Sequence, residues 1–587
     1  MVDPRIYRAS FLPALLALIV AMFSLEPRPG PQASDLAPDA FSGVDALADA
    51  RAFAERFPER RAGSAHDAGL ADLVETRFRA LGLETSRQRF FASVDGTEQE
   101  LSNVIGRLRG RSDREVVITA HRDSPGRPGA ASASGTAVLL ELTQALDALD
   151  RSKTIVLVST DGATADNAGA RRFAERYRDR DKVDVALVLD DVGAAAPRRP
   201  FVLPWSTASG RASLVAARTV EAALRREAGV GARPESWLGQ FARLAWPLTL
   251  REQGPLLRAG IDALTLTAHG DVPRGTGADT LADVSVDRLT RFGRAAFAAV
   301  LAFDSPRFRA GEPNRDLVLG RNVLPSWSLA LLAAALALPA LVAAIDAVAR
   351  ARRRRAPVGE WVRVALAGSV AFGVVALAAV AFELVGWLPG SVEEAVSPFT
   401  APTFGEAALP LLALAVLFGL AWITVRALLV GRAYPPDRAS GAAAITLLLA
   451  VEALVVCLVN PYAGLLLVPV AHLSLLAALP ERPRRSLLGP AIVAGGLALP
   501  VLALLHYGNR LDLGLSVDSY ALMLVGALSG SLASAVLGSL VAGTIASAAV
   551  ATLRADGHHP PPEVTVRGPV TYAGPGSLGG TESALRR

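Results

Sequence analysis

A chain of 587 residues has room for several domains, and a 51% hydrophobic content is too apolar for an ordinary soluble protein. The formal charge of +5 makes no case for a nucleic-acid partner, because the arginines of the second half cluster between apolar runs, as cytoplasmic membrane loops do. The one cysteine, Cys457, lies inside such a run, which excludes a disulfide framework and a cysteine-based zinc site.

The N-terminus, MVDPRIYRASFLPALLALIVAMFSLEPRPGP, places two arginines before an apolar run at 11–25. This is the layout of a secretory signal, but no small-x-small cleavage site follows, so residues 1–36 are expected to form an uncleaved signal-anchor. The positive flank keeps the N-terminus inside and sends the next segment across the membrane. Ala, Arg and Gly are abundant and Lys is scarce, a composition that points to a bacterial source.

Residues 37–308 read as a folded extracytoplasmic domain. Helix-period segments alternate with the apolar runs REVVITAH, KTIVLVSTD, DVALVLDDVG and IDALTLTAHG. Continuous apolar strands separated by helices predict an α/β fold, a mostly parallel sheet covered on both faces. Reactive groups then gather at strand C-terminal ends, where His121, Asp161 and Asp190 fall.

Residues 309–553 carry about seven further apolar segments, at 324–348, 362–388, 407–430, 442–459, 464–479, 487–506 and 520–553. They predict a polytopic α-helical membrane domain. The loops ARARRRRAPVGEWVR, GRAYPPDR and PERPRR are basic and PGSVEEAVSPFTAPTFGE is acidic, which fits the preceding domain lying outside. The last segment is overlong and would break near Gly530. The Pro/Gly-rich tail, 554–587, is expected to be disordered.

In its motifs the folded domain resembles peptidase family M28, zinc aminopeptidases with a phosphorylase/hydrolase-like fold, and the layout is similar to that family's membrane-bound branch. The resemblance rests on FPERRAGSAHDAGLADLVETRFRALGL, SNVIGRLRG, TAHRDS, PGAASASGTAVLLEL, STDGATADNAGARRF, LVLDDVG, GPLLRAGIDALTL and GTGADTLADVSVDRL, in that order. It implies His121 as first metal ligand, Asp123 as the carboxylate that fixes its ring, and Asp190 as a further ligand. Aligned on Ala133-Ser134-Gly135, the metal-bridging aspartate position holds Ala131. The paired glutamates, general base and ligand, are replaced by Ala163 and Thr164, and the last histidine by Gly275.

Zinc needs about three protein ligands before it stays bound and acidifies its water. His121 and Asp190 make two, and the missing base alone is worth roughly 10²–10⁴ in rate. The leading expectation is therefore a catalytically degenerate M28-like module that binds or scaffolds a peptide or protein ligand, with another membrane protein as one candidate, and needs no cofactor. The alternative is an active zinc aminopeptidase with a rearranged site, in which His269 joins His121 and Asp190. A third reading makes the helical half a transporter with a regulatory ectodomain. Its polar marks are Glu452 and His472, whose blander role is to pair and lock neighbouring helices.

Overall fold

The computed structural model describes residues 3–37, 40–231, 235–275, 279–397, 404–431, 438–477 and 488–553. Two of the three basic loops and the C-terminal tail lie outside these residues. The chain opens with helices α1 (Pro4–Ala9) and α2 (Leu12–Phe23), strand β1 (Glu26–Pro27), and helices α3 (Gly43–Arg56) and α4 (Ala65–Ala80). A hairpin of β2 (Glu84–Val94) and β3 (Thr97–Leu108) leads to β4 (Ser112–His121), α5 (Ala133–Asp147), β5 (Lys153–Thr160), α6 (Ala168–Arg176), β6 (Val183–Asp190) and β7 (Val202–Leu203). Helices α7 (Leu214–Ala228), α8 (Trp237–Ala245) and α9 (Gln253–Arg258) precede β8 (Ala263–Thr267) and α10 (Val286–Asp304).

Seven strands form one sheet in the order β2-β3-β5-β4-β6-β8-β7. Its central pairs are parallel and its outer pairs antiparallel, which makes the sheet mixed with a parallel centre. Every residue of β5 and β6 is buried, which is why these segments read as unbroken apolar runs rather than alternating ones. Helices on both faces complete one core, including Phe53, Phe78, Phe173, Phe292 and Phe303. Each such side chain contributes about 1.5–3 kcal/mol on burial. Helix α5 follows the β4 loop and lies hard against β6: a Cβ at Gly135 would fall 2.5 Å from Leu189 O. That contact fixes the helix over the strand ends where the site forms.

Asp262, just before β8, is buried and accepts from Ser213 N at 2.8 Å. Burial pushes its carboxyl up to about 6, against the Ser213 hydrogen bonds that favour the charged form. A raised acid stabilises the fold most below its unfolded value near 3.9, and that contribution is lost as pH rises towards 6. Asp262→Asn is expected to remove this limb and to gain roughly 2–3 kcal/mol over the wild type at pH 8 relative to pH 4. Melting of both proteins at the two pH values checks it.

After β9 (Leu317–Leu319) and β10 (Asn322–Leu324) come α11 (Ser326–Arg353), α12 (Val358–Leu384), α13 (Val392–Val396), α14 (Phe404–Leu429), α15 (Arg438–Val459), α16 (Pro461–Ala477), α17 (Leu488–Gly496), α18 (Ala498–Arg510), α19 (Val517–Ser529) and α20 (Leu532–Leu553). Among the described residues, six helices are long and apolar enough to cross a membrane, or seven if α17 and α18, bent by 54°, form one span. These fit a multi-pass membrane protein. The segment expected at 487–506 is the bent pair, broken after Gly495-Gly496, a usual place for a kink. The overlong last segment is two helices that part at Gly530-Ser531. Both α16 and α19 are apolar but short.

The two halves are joined in several places. Strand β1 pairs with β10, and β10 with β9, in a small antiparallel sheet. Asn460 Nδ2 donates to Leu244 O at 2.8 Å, and the Tyr507 hydroxyl donates to Trp246 O. Glu235, before α8, with its side chain 6% exposed, receives Arg510 at 2.6 Å and faces His506 at 3.3 Å. Thus α8 and the loop after it sit directly on the ends of the bundle helices.

The pairing expected between Glu452 and His472 is not formed. Thr544 Oγ1 donates to Glu452 Oε1 at 2.8 Å, tying α15 to α20. His472 Nε2 donates to Leu336 O at 2.8 Å, and its Nδ1 accepts from the Tyr7 hydroxyl at 2.7 Å. Each polar group is locked to a neighbour, but to a different one.

Candidate functional site

Strands β4 and β6 end side by side at His121 and Asp190, and the loops beyond them line a cleft enclosing about 650 Å³, open mouth included. His121 Nδ1 lies 2.9 Å from Asp123 O and Nε2 lies 3.1 Å from Asp190 Oδ1. Both partners are acceptors, so the ring donates from both nitrogens. Burial alone would depress the imidazolium. The Asp190 hydrogen bond and charge, with Asp123 and Glu252, outweigh burial and push its pKa up to about 10. Asp190 is also buried, yet Arg251 and His121 pull it down to about 2.

The second oxygen of Asp190 is held by Arg251 Nη1. The other terminal nitrogen of Arg251 donates to Gly270 O and Val272 O, both at 3.0 Å. Arg251 is 5% exposed. A guanidinium therefore supplies, at this strand end, the positive charge that a carboxylate buried there requires. Next to it, Arg274 Nε donates to Asp191 Oδ1 at 3.0 Å. Asp191 is thus paired and buried.

Asp123 does not bond the imidazole through its carboxylate, which lies 3.9 Å from Nδ1. Its oxygens accept from Ala163 N at 3.0 Å, Thr164 N at 2.7 Å and Thr164 Oγ1 at 2.6 Å. The two residues at the general-base position therefore clamp Asp123 and present no base to the cleft. Ala131 is fully buried, and its N–H donates to Asp279 Oδ1 at 2.5 Å; Ser132 Oγ donates to the other oxygen at 2.5 Å. Gly275 stands in open space, with nothing within 4 Å of where a Cβ would be. His269 does not join the cluster: its Nδ1 lies 2.9 Å from Val272 O in its own loop. Asp161 turns away from the cleft and accepts from Gly63 N and Ser102 N.

Zinc is the group the resemblance implies, and these residues do not fit it. Every nitrogen of His121 is spent on an acceptor, Asp190 is neutralised by Arg251, and among the described residues no three His, Cys, Asp or Glu side chains form a metal-holding group.

The cleft also contains residues that the sequence reading passed over. Glu252 is 3% exposed; its Oε1 accepts from Thr160 Oγ1 at 2.6 Å and its Oε2 has no hydrogen-bond partner. Burial pushes it up to about 7, in spite of His121 and the Thr160 hydroxyl. Glu393, from α13 in the helical half, lines the same cleft. Burial, then the Asp166 charge, pushes it up to about 7 as well. The signal for Arg251 and Glu252 was an adjacent charge pair, REQG, set immediately before an apolar helix–strand unit. Asp166, Asn167 and Asp191 line the cleft with left-handed backbones at φ 54°, 52° and 49°. Asn and Asp tolerate that region best, and such residues gather where a site must be held in shape.

Residues 103–300 match the model of peptidase family M28. Human transferrin receptor protein 2 is 33% identical over 98 residues, which are 16% of this chain and 12% of the receptor, so the match spans a small part of that relative. Among solved structures, BSAP, a zinc aminopeptidase from Bacillus subtilis, aligns with 44% of this chain and 94% of its own at 16% identity and a TM-score of 0.37. Porphyromonas gingivalis glutaminyl cyclase aligns with 45% of this chain and 98% of its own at 18% identity and a TM-score of 0.34. By the family match, the α/β domain of this chain is similar to peptidase family M28 over residues 103–300.

Proposed function

We propose that this protein is a multi-pass membrane protein whose M28 domain has given up metal-dependent hydrolysis and serves as an extracytoplasmic binding or scaffolding module for a peptide or protein ligand. The observation that carries this reading is Arg251 seated on Asp190, a fixed internal cation where the resemblance implies a metal. The clamp of Ala163 and Thr164 on Asp123 supports it, since neither residue at the general-base position offers a base. Human transferrin receptor protein 2, similar to this chain over 98 residues, carries the name of a receptor. The outward orientation is supported by the ends of α11: the M28 domain precedes its N-terminus, and Arg350, Arg352 and Arg353 stand in its last turn. The composition favours a bacterial cell membrane.

Purified full-length protein, incubated with zinc and desalted, is expected to retain well under one equivalent of metal and to release no amino acid from unblocked peptides. Stoichiometric zinc that is lost on His121→Ala, together with turnover stopped by chelation, would establish the active aminopeptidase instead. For the helical half, the Thr544 bond to Glu452 supports a packing role over a transport path.

A further inference from the structure

A second cavity lies where the small sheet of β1, β10 and β9 meets the α/β domain. It encloses about 460 Å³, open mouth included, and its polar lining includes Arg28, Arg211, Glu221, Glu235 and Gln240. The chain course puts it close to the ends of apolar helices. Arg28 follows β1, the strand after α2, and Val318 of β9, another lining residue, comes shortly before α11. The segment Pro4–Phe23 and α11 are both long and apolar enough to cross a membrane.

The carboxylates of this cavity already have cations of their own. Arg28 Nη2 lies 3.4 Å from Glu221 Oε2. Glu235 is held by Arg510 at 2.6 Å, with His506 at 3.3 Å and Arg243 at 3.6 Å, and Arg243 has Asp271 as its closer partner at 2.8 Å. Arg211 is the cation left over: Glu221 and Glu235 act on it without contact. It is 6% exposed, its Cζ lies 4.9 Å from the centroid of the Trp205 ring, and Nη1 donates to Gln240 Oε1 at 3.1 Å. Burial pushes it down to about 10, so it stays charged at neutral pH. The Nε atoms of Arg211 and Arg28 are both buried, and neither has a hydrogen-bond partner. Two guanidinium groups lining one cavity thus each carry an unused N–H.

A buried donor left unmade is costly, the more so on a charged group, and a ligand that accepts from it removes the cost. A cation would meet two arginines, and an uncharged ligand would leave Arg211 unmatched. A carboxylate has only two oxygens to divide between two forks. A phosphate has enough oxygens to accept from both, and arginine pairs with it through parallel N–H bonds. Phosphates are also concentrated in the headgroup layer that bounds the apolar core of a bilayer, where spanning helices end.

We propose that this cavity binds a phosphate group, carried by a phospholipid or free in solution, with Arg211 and Arg28 as its donors. The cavity shares no lining residue with the cleft at the ends of β4 and β6, so the proposal does not depend on whether that cleft is catalytic. Arg28 belongs to the segment leading in from α2, and Arg211 to the stretch between β7 and α7. An occupant therefore ties the entering chain to the body of the α/β domain.

The test uses the full chain in detergent at constant ionic strength, with calorimetric titration of dioctanoyl phosphatidylglycerol, inorganic phosphate and dioctanoylglycerol. Expected is binding of a phosphate-bearing probe, none of dioctanoylglycerol, and affinity lowered about tenfold or more by Arg211→Gln and by Arg28→Gln. Glu221→Gln, which frees Arg28 from its carboxylate, is expected to tighten binding, a change of the sign that general damage to packing does not produce. The tighter of the two phosphate probes names the source, lipid or solution. Melting without ligand reports whether each variant folds; should Arg211→Gln not fold, Arg28→Gln decides. No binding by either phosphate probe, equal binding of dioctanoylglycerol, unchanged affinity in Arg28→Gln, or weaker binding in Glu221→Gln would overturn the proposal.

Discussion

Arg251→Met is expected to cost about 3–5 kcal/mol of stability, the usual penalty for stripping one partner from a buried ion pair. Methionine fills much of the same volume, so the loss is electrostatic and not a cavity effect. Asp190 keeps His121 but loses the cation on its second oxygen, while Gly270 O and Val272 O lose a shared donor. Lysine will not rescue it fully, because a point charge cannot reach the carboxylate and two carbonyls at once as the planar fork does. A lowered Tm of the full-length protein in detergent checks the effect. The double variant with His121→Ala should fall short of the sum of the single losses, since both residues serve one carboxylate.

Gly543→Val is expected to be as damaging, at about 3 kcal/mol or more, by a steric route. A Cβ at Gly543 would fall 2.6 Å from Gly368 C and closer still to Ser369 N, while one at Gly368 would fall 3.0 Å from Gly543 O. The backbones of α12 and α20 thus touch through two glycines, the small-residue contact by which membrane helices pack without a hydrophobic driving force. A branched side chain there must push the helices apart, and Ser547 Oγ and Ser369 Oγ lose their bonds across the same seam. The yield of monodisperse protein and its Tm report the damage. Gly419→Leu on α14, where a Cβ meets nothing within 4 Å, is the control and should stay within about 0.5 kcal/mol.

Much of the α/β half was legible because its chemistry is local. Strands buried on both faces write themselves as apolar runs, and His121 and Asp190 stand at the ends of two of them. What escaped depends on contacts distant in sequence. Nothing near Asp190 announces Arg251, which reaches it only because the loop before α9 folds back over β6. Glu393 belongs to a connection between apolar helices, and only the docking of the two halves brings it to the cleft. The supposed Glu452–His472 pair failed because helices apolar all round give no phase: α16 turns His472 towards α11 and Tyr7, while α15 turns Glu452 towards α20. The break at Gly530 is likewise a matter of backbone course, which hydropathy averages away.

The small sheet of β1, β10 and β9 has a consequence for how anything could reach this molecule. The polypeptide enters and leaves the α/β domain through neighbouring strands, Glu26 opposite Val323, and α8 bears on the bundle beside them. A module hung on one linker can swivel, whereas one stapled at its entry and exit keeps a fixed bearing. The cleft is therefore held at one height and heading relative to the helical bundle, like a berth on a quay. A partner confined to the same membrane would arrive already aligned in two of its three rotations, an advantage in association that a freely tumbling peptide does not share.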